Sequence, residues 1–305
     1  MSKAQFPGEQ SADGQFERQA DAFRDWVTAD GSSGYPAQAG RYHLYVSLAC
    51  PWAHRTIIVR RLKGLERAVG MTVVDPIRDE RGWRFDRPDP INGWEFLSQA
   101  YAATDPHYRG RVTVPVLWDT QSKRVVSNSD DDIMRMFETA FDAQGDAGVD
   151  LYPVRLRGEI DALNERLYAT FNNGVYRAGF ATVQRAYEAA AYQVFATLDA
   201  MEERLSERRY LFGAQPVETD WRFFVTLVRF DPVYFGHFKC NLRRIVDYPN
   251  LWGYTRELYQ LPQIGATVKL DEIKRHYYGT HVQLNPSRIV PVGPLLDFST
   301  PHGRG

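Results

Sequence analysis

The stretch RYHLYVSLACPWAHRTIIVRRLKG, residues 41–64, joins a strand-like segment to a helix-like one. Polar and apolar residues alternate through its first part, which predicts a β-strand. Pro51 then stands at the first position of a helix, and Gly64 stands where that helix would end. Apolar residues recur at helical spacing. They predict a buried face that consists of Ala53, Ile57, Ile58 and Leu62.

Cys50 lies at the junction of the predicted strand and helix, and four interpretations are open there. It could be a buried apolar thiol, half of a disulfide, a metal ligand or a nucleophile. The chain has one other cysteine, Cys240, so no disulfide framework is expected, and Cys240 is predicted to be an ordinary buried thiol. No second pair of ligands accompanies Cys50 and His54, so no metal site is expected.

The start of a helix favours the nucleophile. Its unpaired N–H groups and its dipole stabilise an anion and lower the pKa of a thiol. His54 and Arg55 add positive potential, and Ala53 occupies the position where a dithiol motif has its second cysteine. A thiolate in this setting must be released by an external thiol. We therefore expect Cys50 to be a catalytic nucleophile, with the buried apolar thiol as the alternative.

The segments that follow complete a thioredoxin-like pattern. They are MTVVDPI (71–77), VTVPVLWD (112–119), KRVVSN (123–128) and DDDIMRMFETAF (130–141). The first predicts a strand, the next two a hairpin, and the last a helix with acidic residues in its first turn. A polar and aromatic insertion occupies residues 78–110. The order β-α-β-insertion-β-β-α predicts a thioredoxin-like domain over residues 41–143.

Pro115 interrupts the apolar run VTVPVLWD. A proline inside a strand is disfavoured unless it lies at an edge or carries a special peptide bond. In thioredoxin-like folds the proline at this place is cis and exposes the preceding backbone to a peptide-like ligand. We therefore predict a cis bond between Val114 and Pro115, although few X–Pro bonds in folded proteins are cis.

The second half of the chain is predicted to be helical. Residues 182–206 keep a three- and four-residue apolar spacing that begins at Val183, and ETDWRFFVTLVRFD (218–231) and LWGYTRELYQL (251–261) predict further helices. We expect an all-helical domain over residues 150–280. The predicted flanking segments are an N-terminal extension, residues 1–40, docked through Phe23 and Trp26, and an irregular C-terminal tail, residues 281–305.

Composition limits the possible functions. The 305 residues are 44% hydrophobic and 25% charged, with a formal net charge of −1, which is the balance of a globular protein. No basic excess points to nucleic acid, and no apolar run is long enough to span a membrane. The polar N-terminus lacks the apolar core of a secretory signal. We expect a cytoplasmic protein that binds neither nucleic acid nor membrane.

Several strings resemble one enzyme family. They are SLACPWAHR (47–55), GRVTVPVLWD (110–119), NNGVYRAGFAT (172–182), TLVRFDPVYFGHFKCNLRRI (226–245), DYPNLWGY (247–254) and IKRHYYGTHVQLNPSRIVPVGP (273–294). The chain resembles the glutathionyl-hydroquinone reductases, the xi class of glutathione transferases. The resemblance implies the glutathione transferase fold, a thioredoxin-like domain followed by an all-helical domain, and a homodimer.

The resemblance also implies a reaction and its residues. Cys50 would attack the sulfur of a glutathionyl-hydroquinone, release the hydroquinone and form a mixed disulfide that a second thiol resolves. Trp83, Arg111, Val114 and Pro115 would bind the thiol co-substrate, glutathione. Tyr176, Tyr234 and Tyr277 would bind the hydroquinone. Trp83 could instead close the insertion onto the domain, Arg111 could form a surface ion pair, and any of the tyrosines could be plain packing.

Two positions depart from the family pattern. Where the family has a Glu-Ser pair that grips the γ-glutamyl group, this chain has Ser129 and Asp130. One residue of displacement turns a side chain by about 100° around a helix, so the same grip is not expected. A mycothiol-using variant, whose sugar hydroxyls would suit Ser129, Asp130 and Asp131, is a hypothesis. The second departure is Val217, which replaces a threonine cap before Asp220 and costs about 1 kcal/mol of stability.

Two other functions stay open at the level of sequence. One is a broader deglutathionylase or dehydroascorbate-type reductase, which would need an open polar groove rather than tyrosines near Cys50. The other is a non-catalytic ligand carrier on a transferase fold, because fold alone does not determine function.

Overall fold

A computed structural model describes residues 5–304; residues 1–4 of the predicted extension and residue 305 of the predicted tail lie outside the described residues. The chain divides into two compact units. One contains residues 19–150 and is called the sheet unit here. The other contains the N-terminal residues through Arg18 and the chain from Leu151 onward, and is called the helical unit. The predicted extension, residues 1–40, is therefore shared between the units.

The sheet unit has one mixed sheet with helices between its strands. Its elements are β1 (Tyr42–Val46), α1 (Pro51–Leu62), β2 (Val69–Val73), α2 (Ser98–Thr104), β3 (Val116–Asp119), β4 (Arg124–Ser127) and α3 (Asp130–Thr139). The strand order is β2-β1-β3-β4, with β1 parallel to β2 and antiparallel to β3, and β3 antiparallel to β4. The predicted thioredoxin-like fold is confirmed.

Helix α1 begins at Pro51 as predicted and is buried more completely than a single apolar stripe requires. Ala53, Ile57 and Ile58 are buried, as expected, but Leu62 is only half-buried. The helix packs against α3 and follows β1, whose residues are all buried. The strand and helix thereby hold Cys50 at a fixed turn between them.

The insertion packs onto the sheet unit through aromatic rings. The rings of Trp94 and Trp118 have centroids 4.9 Å apart, and the Tyr101 hydroxyl donates to the Thr113 carbonyl oxygen over 3.0 Å. Helix α2, which the sequence analysis did not predict, carries Tyr101. The contact with Thr113 ties the insertion to the chain just before the cis-proline position.

Residues 23–25 run beside the end of β4. The Asp25 N–H donates to the Val126 carbonyl oxygen, and Phe23 packs against Tyr101 with centroids 5.4 Å apart. Phe23 docks as predicted, whereas Trp26 is 36% exposed. Its neighbour Val27 is buried instead, because an irregular segment has no fixed period that would determine which side chain points inward.

The helical unit contains α4 (Arg157–Leu167), α5 (Gly174–Gly179), α6 (Gln184–Glu207), α7 (Glu218–Arg229), α8 (Pro249–Gln260) and α9 (Leu270–Thr280). The predicted helices at α6, α7 and α8 are present, but Val183 caps the start of α6 instead of packing inside it. From residue 281 to residue 304 no helix or strand is assigned. Among the described residues, no helix combines the length and hydropathy required to span a bilayer.

The start of α7 contains half of a capping box. The Asp220 carboxylate accepts hydrogen bonds from the backbone N–H groups of Val217 and Leu211 and from the Tyr254 hydroxyl, over 2.8, 2.9 and 2.7 Å. Val217, at the N-cap, has no side-chain oxygen and cannot supply the other half. Burial of the Asp220 carboxyl raises its pKa to about 6.

Val217→Thr is expected to stabilise the protein by about 1 kcal/mol, because the hydroxyl can accept from an N–H of the first turn of α7. Urea unfolding measures this as a higher midpoint with an unchanged slope. A lower midpoint would show that the buried surroundings of Val217 do not tolerate a hydroxyl. Asp220→Ala is the matched control that removes the existing half of the capping box, and it should lower the urea midpoint.

Candidate active site

Cys50 is the N-cap residue of α1, in an extended backbone conformation. The side chain is largely buried, and its thiol donates to the Val114 carbonyl oxygen over 3.5 Å. The Val114–Pro115 peptide bond is cis, which confirms that prediction. The first turn of α1 directs its N–H groups and positive dipole end toward Cys50, so the thiolate is favoured there.

Cys240 differs from Cys50 in its position, because it caps no helix. Its side chain is fully buried, as predicted, and burial raises the pKa of its thiol to about 12. A thiol with that pKa remains protonated at neutral pH, and the thiolate is the reactive form. Cys240 is therefore an inert core residue.

Arg111 and Trp83 lie on either side of the insertion's helix along the chain. The Arg111 backbone is held on both sides by Gln19, whose amide accepts from the Arg111 N–H over 2.9 Å and donates to its carbonyl oxygen over 2.8 Å. Trp83 is buried, with the Arg78 guanidinium 5.5 Å from its ring centroid. The Arg111 backbone is thus held in place three residues before Val114. Trp83 packs within the insertion.

Ser129 and Asp130 begin α3. Ser129 is its N-cap, and the Ser129 hydroxyl accepts from the Asp132 N–H over 3.3 Å. The Asp130 carboxylate accepts from the buried Arg55 guanidinium over 2.8 Å, and that guanidinium lies 4.5 Å from the Trp52 ring centroid. Arg55, which the sequence analysis treated only as a source of positive potential near Cys50, is therefore an ion-pair partner of α3.

The other two acids of this first turn are paired as well, and Asp131 lies 3.5 Å from the same Arg55 nitrogen that Asp130 contacts. Asp132 forms two hydrogen bonds with Arg24, over 2.7 and 2.6 Å. Three carboxylates thus share two arginines, and the start of α3 offers a ligand N–H groups, a hydroxyl and the half-exposed Asp131 carboxylate.

The three predicted hydroquinone residues meet in the helical unit. Tyr176 lies on α5, Tyr234 ends a π-helical turn, Phe230–Tyr234, that continues α7, and Tyr277 lies on α9. The Tyr277 hydroxyl is hydrogen-bonded to the hydroxyl of Tyr176 and, over 3.0 Å, to that of Tyr234. The three hydroxyl groups form a continuous hydrogen-bonded chain, which we call the tyrosine chain.

Burial determines the protonation of the tyrosine chain. Loss of solvent raises the pKa of Tyr234 and of Tyr277 well above the ordinary value, and the nearby Arg229 opposes the shift only in part. The hydroxyls of Tyr234 and Tyr277 are therefore protonated at physiological pH. Phe238 stacks on Tyr234 with centroids 5.4 Å apart and keeps the rings in an apolar surrounding.

A pair of histidines lies beside the tyrosine chain and was not predicted from the sequence. His237 and His281 share a hydrogen bond of 3.1 Å between ring nitrogens, and the His281 ring lies 5.4 Å from that of Tyr277. Burial lowers the pKa of His237 to about 4, so this ring is neutral at pH 7. The two histidines are 44 residues apart in the sequence, and no local pattern indicates that they meet.

Family models and relatives agree with this geometry. The model of the glutathione S-transferase N-terminal domain matches residues 49–140, and that of the C-terminal domain matches residues 184–257. The chain is 52% identical to "Glutathionyl-hydroquinone reductase YqjG" of Escherichia coli strain K12, over 96% of this chain and 93% of that protein. It is 49% identical to "Glutathionyl-hydroquinone reductase PcpF" of Sphingobium chlorophenolicum, over 93% of this chain and 91% of that protein.

Solved structures give the same result. A glutathione-bound structure of the Escherichia coli protein has a TM-score of 0.90 at 52% identity, and it covers 92% of this chain and 96% of that one. The xi-class glutathione S-transferase of Phanerochaete chrysosporium has a TM-score of 0.89 at 48% identity, with 92% and 98% covered. The chain therefore belongs to the glutathionyl-hydroquinone reductases, the xi class of the glutathione transferases.

Proposed function

We propose that this protein is a thiol-dependent reductase that cleaves the thioether bond of glutathionyl-hydroquinones through Cys50. The observation that carries the proposal is the position of Cys50. This residue caps α1, and its thiol lies 3.5 Å from the carbonyl oxygen of Val114, whose peptide bond to Pro115 is cis. Ala53 stands where a resolving cysteine would be. A lone thiolate in this setting forms mixed disulfides with external thiols.

In the first step the Cys50 thiolate attacks the sulfur of the thioether. The bond from that sulfur to the aromatic ring breaks, and its electron pair goes to the ring carbon, which takes a proton from the tyrosine chain. The products are the hydroquinone and a disulfide between Cys50 and glutathione. The ring carbon is reduced, and the two sulfur atoms are oxidised. Proton donation of this kind is general acid catalysis.

In the second step a further glutathione thiolate attacks the glutathione sulfur of the mixed disulfide. Oxidised glutathione leaves, and Cys50 is again a thiolate, which α1 stabilises. No carbon is protonated in this step, so the tyrosine chain has no part in it. The two half-reactions can therefore be separated by variants of the helical unit.

The residues of the sheet unit have distinct roles in the proposal. The Val114 backbone pairs with the cysteinyl amide of the thiol, next to the cis bond of Pro115. Arg111 meets a carboxylate, and Trp83 contributes its ring face and its N–H. Ser129 and the N–H groups at the start of α3 bind the terminal carboxylate.

A second candidate for the thiol co-substrate is mycothiol. The observation that favours it is the pairing of Arg55 and Arg24 with the acids of α3, which offsets two of the three negative charges that a γ-glutamyl ammonium group would meet there. A thiol with neutral sugar hydroxyls has no such requirement. Single-turnover resolution of the Cys50 mixed disulfide with each thiol decides between them: equal or faster resolution by glutathione removes mycothiol.

Incubation of the protein with a synthetic glutathionyl-hydroquinone and excess glutathione tests the function as a whole. The proposal requires one hydroquinone and one oxidised glutathione for each conjugate consumed, measured by liquid chromatography. Turnover of dehydroascorbate or of protein mixed disulfides without turnover of the conjugate would contradict it and would favour the broader deglutathionylase.

We also propose that the protein acts in the reducing cytoplasm, because the reaction requires a reduced thiol co-substrate and a free Cys50. We also propose a homodimer. Its support is the apolar part of the tail, where Val292 and Leu295 are 95% and 97% exposed. Sedimentation equilibrium should give twice the chain mass, and a monomer at micromolar concentration would contradict this part of the proposal.

A further inference from the structure

The N-terminal segment through Arg18 is attached to the helical unit at the helix that carries Tyr176. The Thr182 N–H donates to the Gly14 carbonyl oxygen over 3.1 Å, and the buried Phe16 ring lies 5.1 Å from that of Phe180. Arg177 donates to the Gln15 side chain over 3.3 Å. These contacts place the end of the segment beside α5.

Arg18 ends this segment over the tyrosine chain. Its Nε donates to the Asn173 side-chain oxygen over 2.9 Å, and its guanidinium carbon lies 4.7 Å from the ring centroid of Tyr176. The same carbon lies 5.3 Å from the Phe16 ring, on the segment itself. The guanidinium is therefore fixed in position and orientation over a ring whose hydroxyl belongs to the chain.

We infer that Arg18 is a positioning residue for hydroquinone release: it holds the Tyr176 ring in place and stabilises the negative charge that the tyrosine chain acquires when it gives up a proton. This inference rests on the proposed function, since it concerns the proton delivered in the first step. It assigns a role in the reaction to a residue outside the thioredoxin-like and helical domains of the family models.

The charge of Arg18 acts on the tyrosine chain during proton transfer. When the ring carbon of the substrate takes a proton, one hydroxyl oxygen of the chain is left with a negative charge. The hydrogen bonds that link the Tyr277 hydroxyl with those of Tyr176 and Tyr234 spread that charge along the chain. A guanidinium over a ring face attracts electron-rich aromatic systems and keeps its charge throughout the physiological range. A proton from water later restores the neutral chain.

The effect should be confined to one half-reaction. Arg18 touches no atom of the thiol in this scheme, and resolution of the mixed disulfide moves no proton to carbon. Arg18→Met, which keeps much of the length and the apolar contact but removes the charge, should slow hydroquinone release about tenfold. The loss should appear in kcat, with little change in KM.

The experiment measures both half-reactions separately in the full-length protein. Hydroquinone release is followed in a single turnover with limiting conjugate, and resolution is followed from a preformed Cys50–glutathione disulfide. Arg18→Lys, which restores the charge without the planar fork, should recover about half of the loss on a logarithmic scale. Asn173→Ala, which keeps Arg18 but removes its acceptor, should show a smaller loss with the same selectivity. Thermal unfolding verifies that each variant is folded.

Arg177→Met is the matched control, because Arg177 holds the same segment through a hydrogen bond to Gln15. Both of its half-reactions should stay within about twofold of wild type. Three results would overturn the inference: Arg18→Met releases hydroquinone at the wild-type rate, it slows both half-reactions equally, or Arg18→Lys is no better than Arg18→Met. Failure of the wild type to release hydroquinone would instead contradict the proposed function, and this role with it.

Discussion

Cys50→Ser is expected to lower the rate of hydroquinone release by about a thousandfold or more, because a serine hydroxyl is hardly ionised at neutral pH and forms no disulfide. The setting of Cys50 at the first turn of α1 favours a thiolate but cannot ionise an alcohol. Single-turnover release of hydroquinone from a glutathionyl conjugate measures the change. A variant that retains a tenth of the wild-type rate would show that the reaction does not pass through Cys50.

Cys240→Ala is the control for that experiment. Cys240 is fully buried, and the raised pKa of its thiol keeps it protonated at neutral pH. The variant should lose a little stability from the small cavity and keep its rate within about twofold. If both cysteine variants lost activity equally, a general effect on folding would explain the result better than nucleophilic chemistry.

Tyr277→Phe should slow hydroquinone release about a hundredfold, the lower part of the range for a general acid. Tyr277 is the middle of the tyrosine chain, so its removal separates Tyr176 from Tyr234. Resolution of the mixed disulfide should keep its rate, because it delivers no proton to carbon. Equal loss in the two half-reactions would show that the hydroxyl supports structure rather than chemistry.

Tyr254→Phe separates the chemical effect from a structural one. The Tyr254 hydroxyl is also buried, but it donates to the Asp220 carboxylate at the start of α7. Removing it should lower the free energy of unfolding by about 1–3 kcal/mol and leave both half-reactions near the wild-type rate. The two phenylalanine variants thus lose the same atom in different roles.

Local patterns in the sequence predict much of the sheet unit. The alternating run before Cys50 and the proline after it are sufficient to predict β1, the start of α1 and the capping position of the cysteine. The cis bond of Val114–Pro115 is predicted from the proline in an apolar run together with the thioredoxin-like fold, and the structure places that proline just before β3. Neighbours in sequence determine β1 and the start of α1, whereas the cis bond depends also on the fold.

Helices α2 and α5 escape this reasoning. They have seven and six residues, so neither is long enough to show a repeated apolar stripe. Tertiary packing stabilises such short helices rather than intrinsic propensity. Val183 shows the related error at a boundary: it fits the apolar spacing of α6 but lies at the cap, where the period no longer determines which side is buried.

Contacts between distant segments could not be predicted either. The pairing of Arg55 with Asp130 joins the first turns of two helices, and the position of Arg18 over Tyr176 joins the start of the chain to α5. Nothing in the local sequence distinguishes these arginines from the others in the chain. The tyrosine chain itself was predicted only through the family resemblance, since any buried tyrosine has the same local signals.

Intact-mass spectrometry after a single turnover tests the central claim most directly. The protein is mixed with one equivalent of glutathionyl-hydroquinone in the absence of any second thiol, and the reaction is stopped with acid. The account predicts free hydroquinone together with one glutathione bound to Cys50 through a disulfide that dithiothreitol removes. Release of hydroquinone without a thiol on Cys50, or an adduct that retains the aromatic ring, would contradict it.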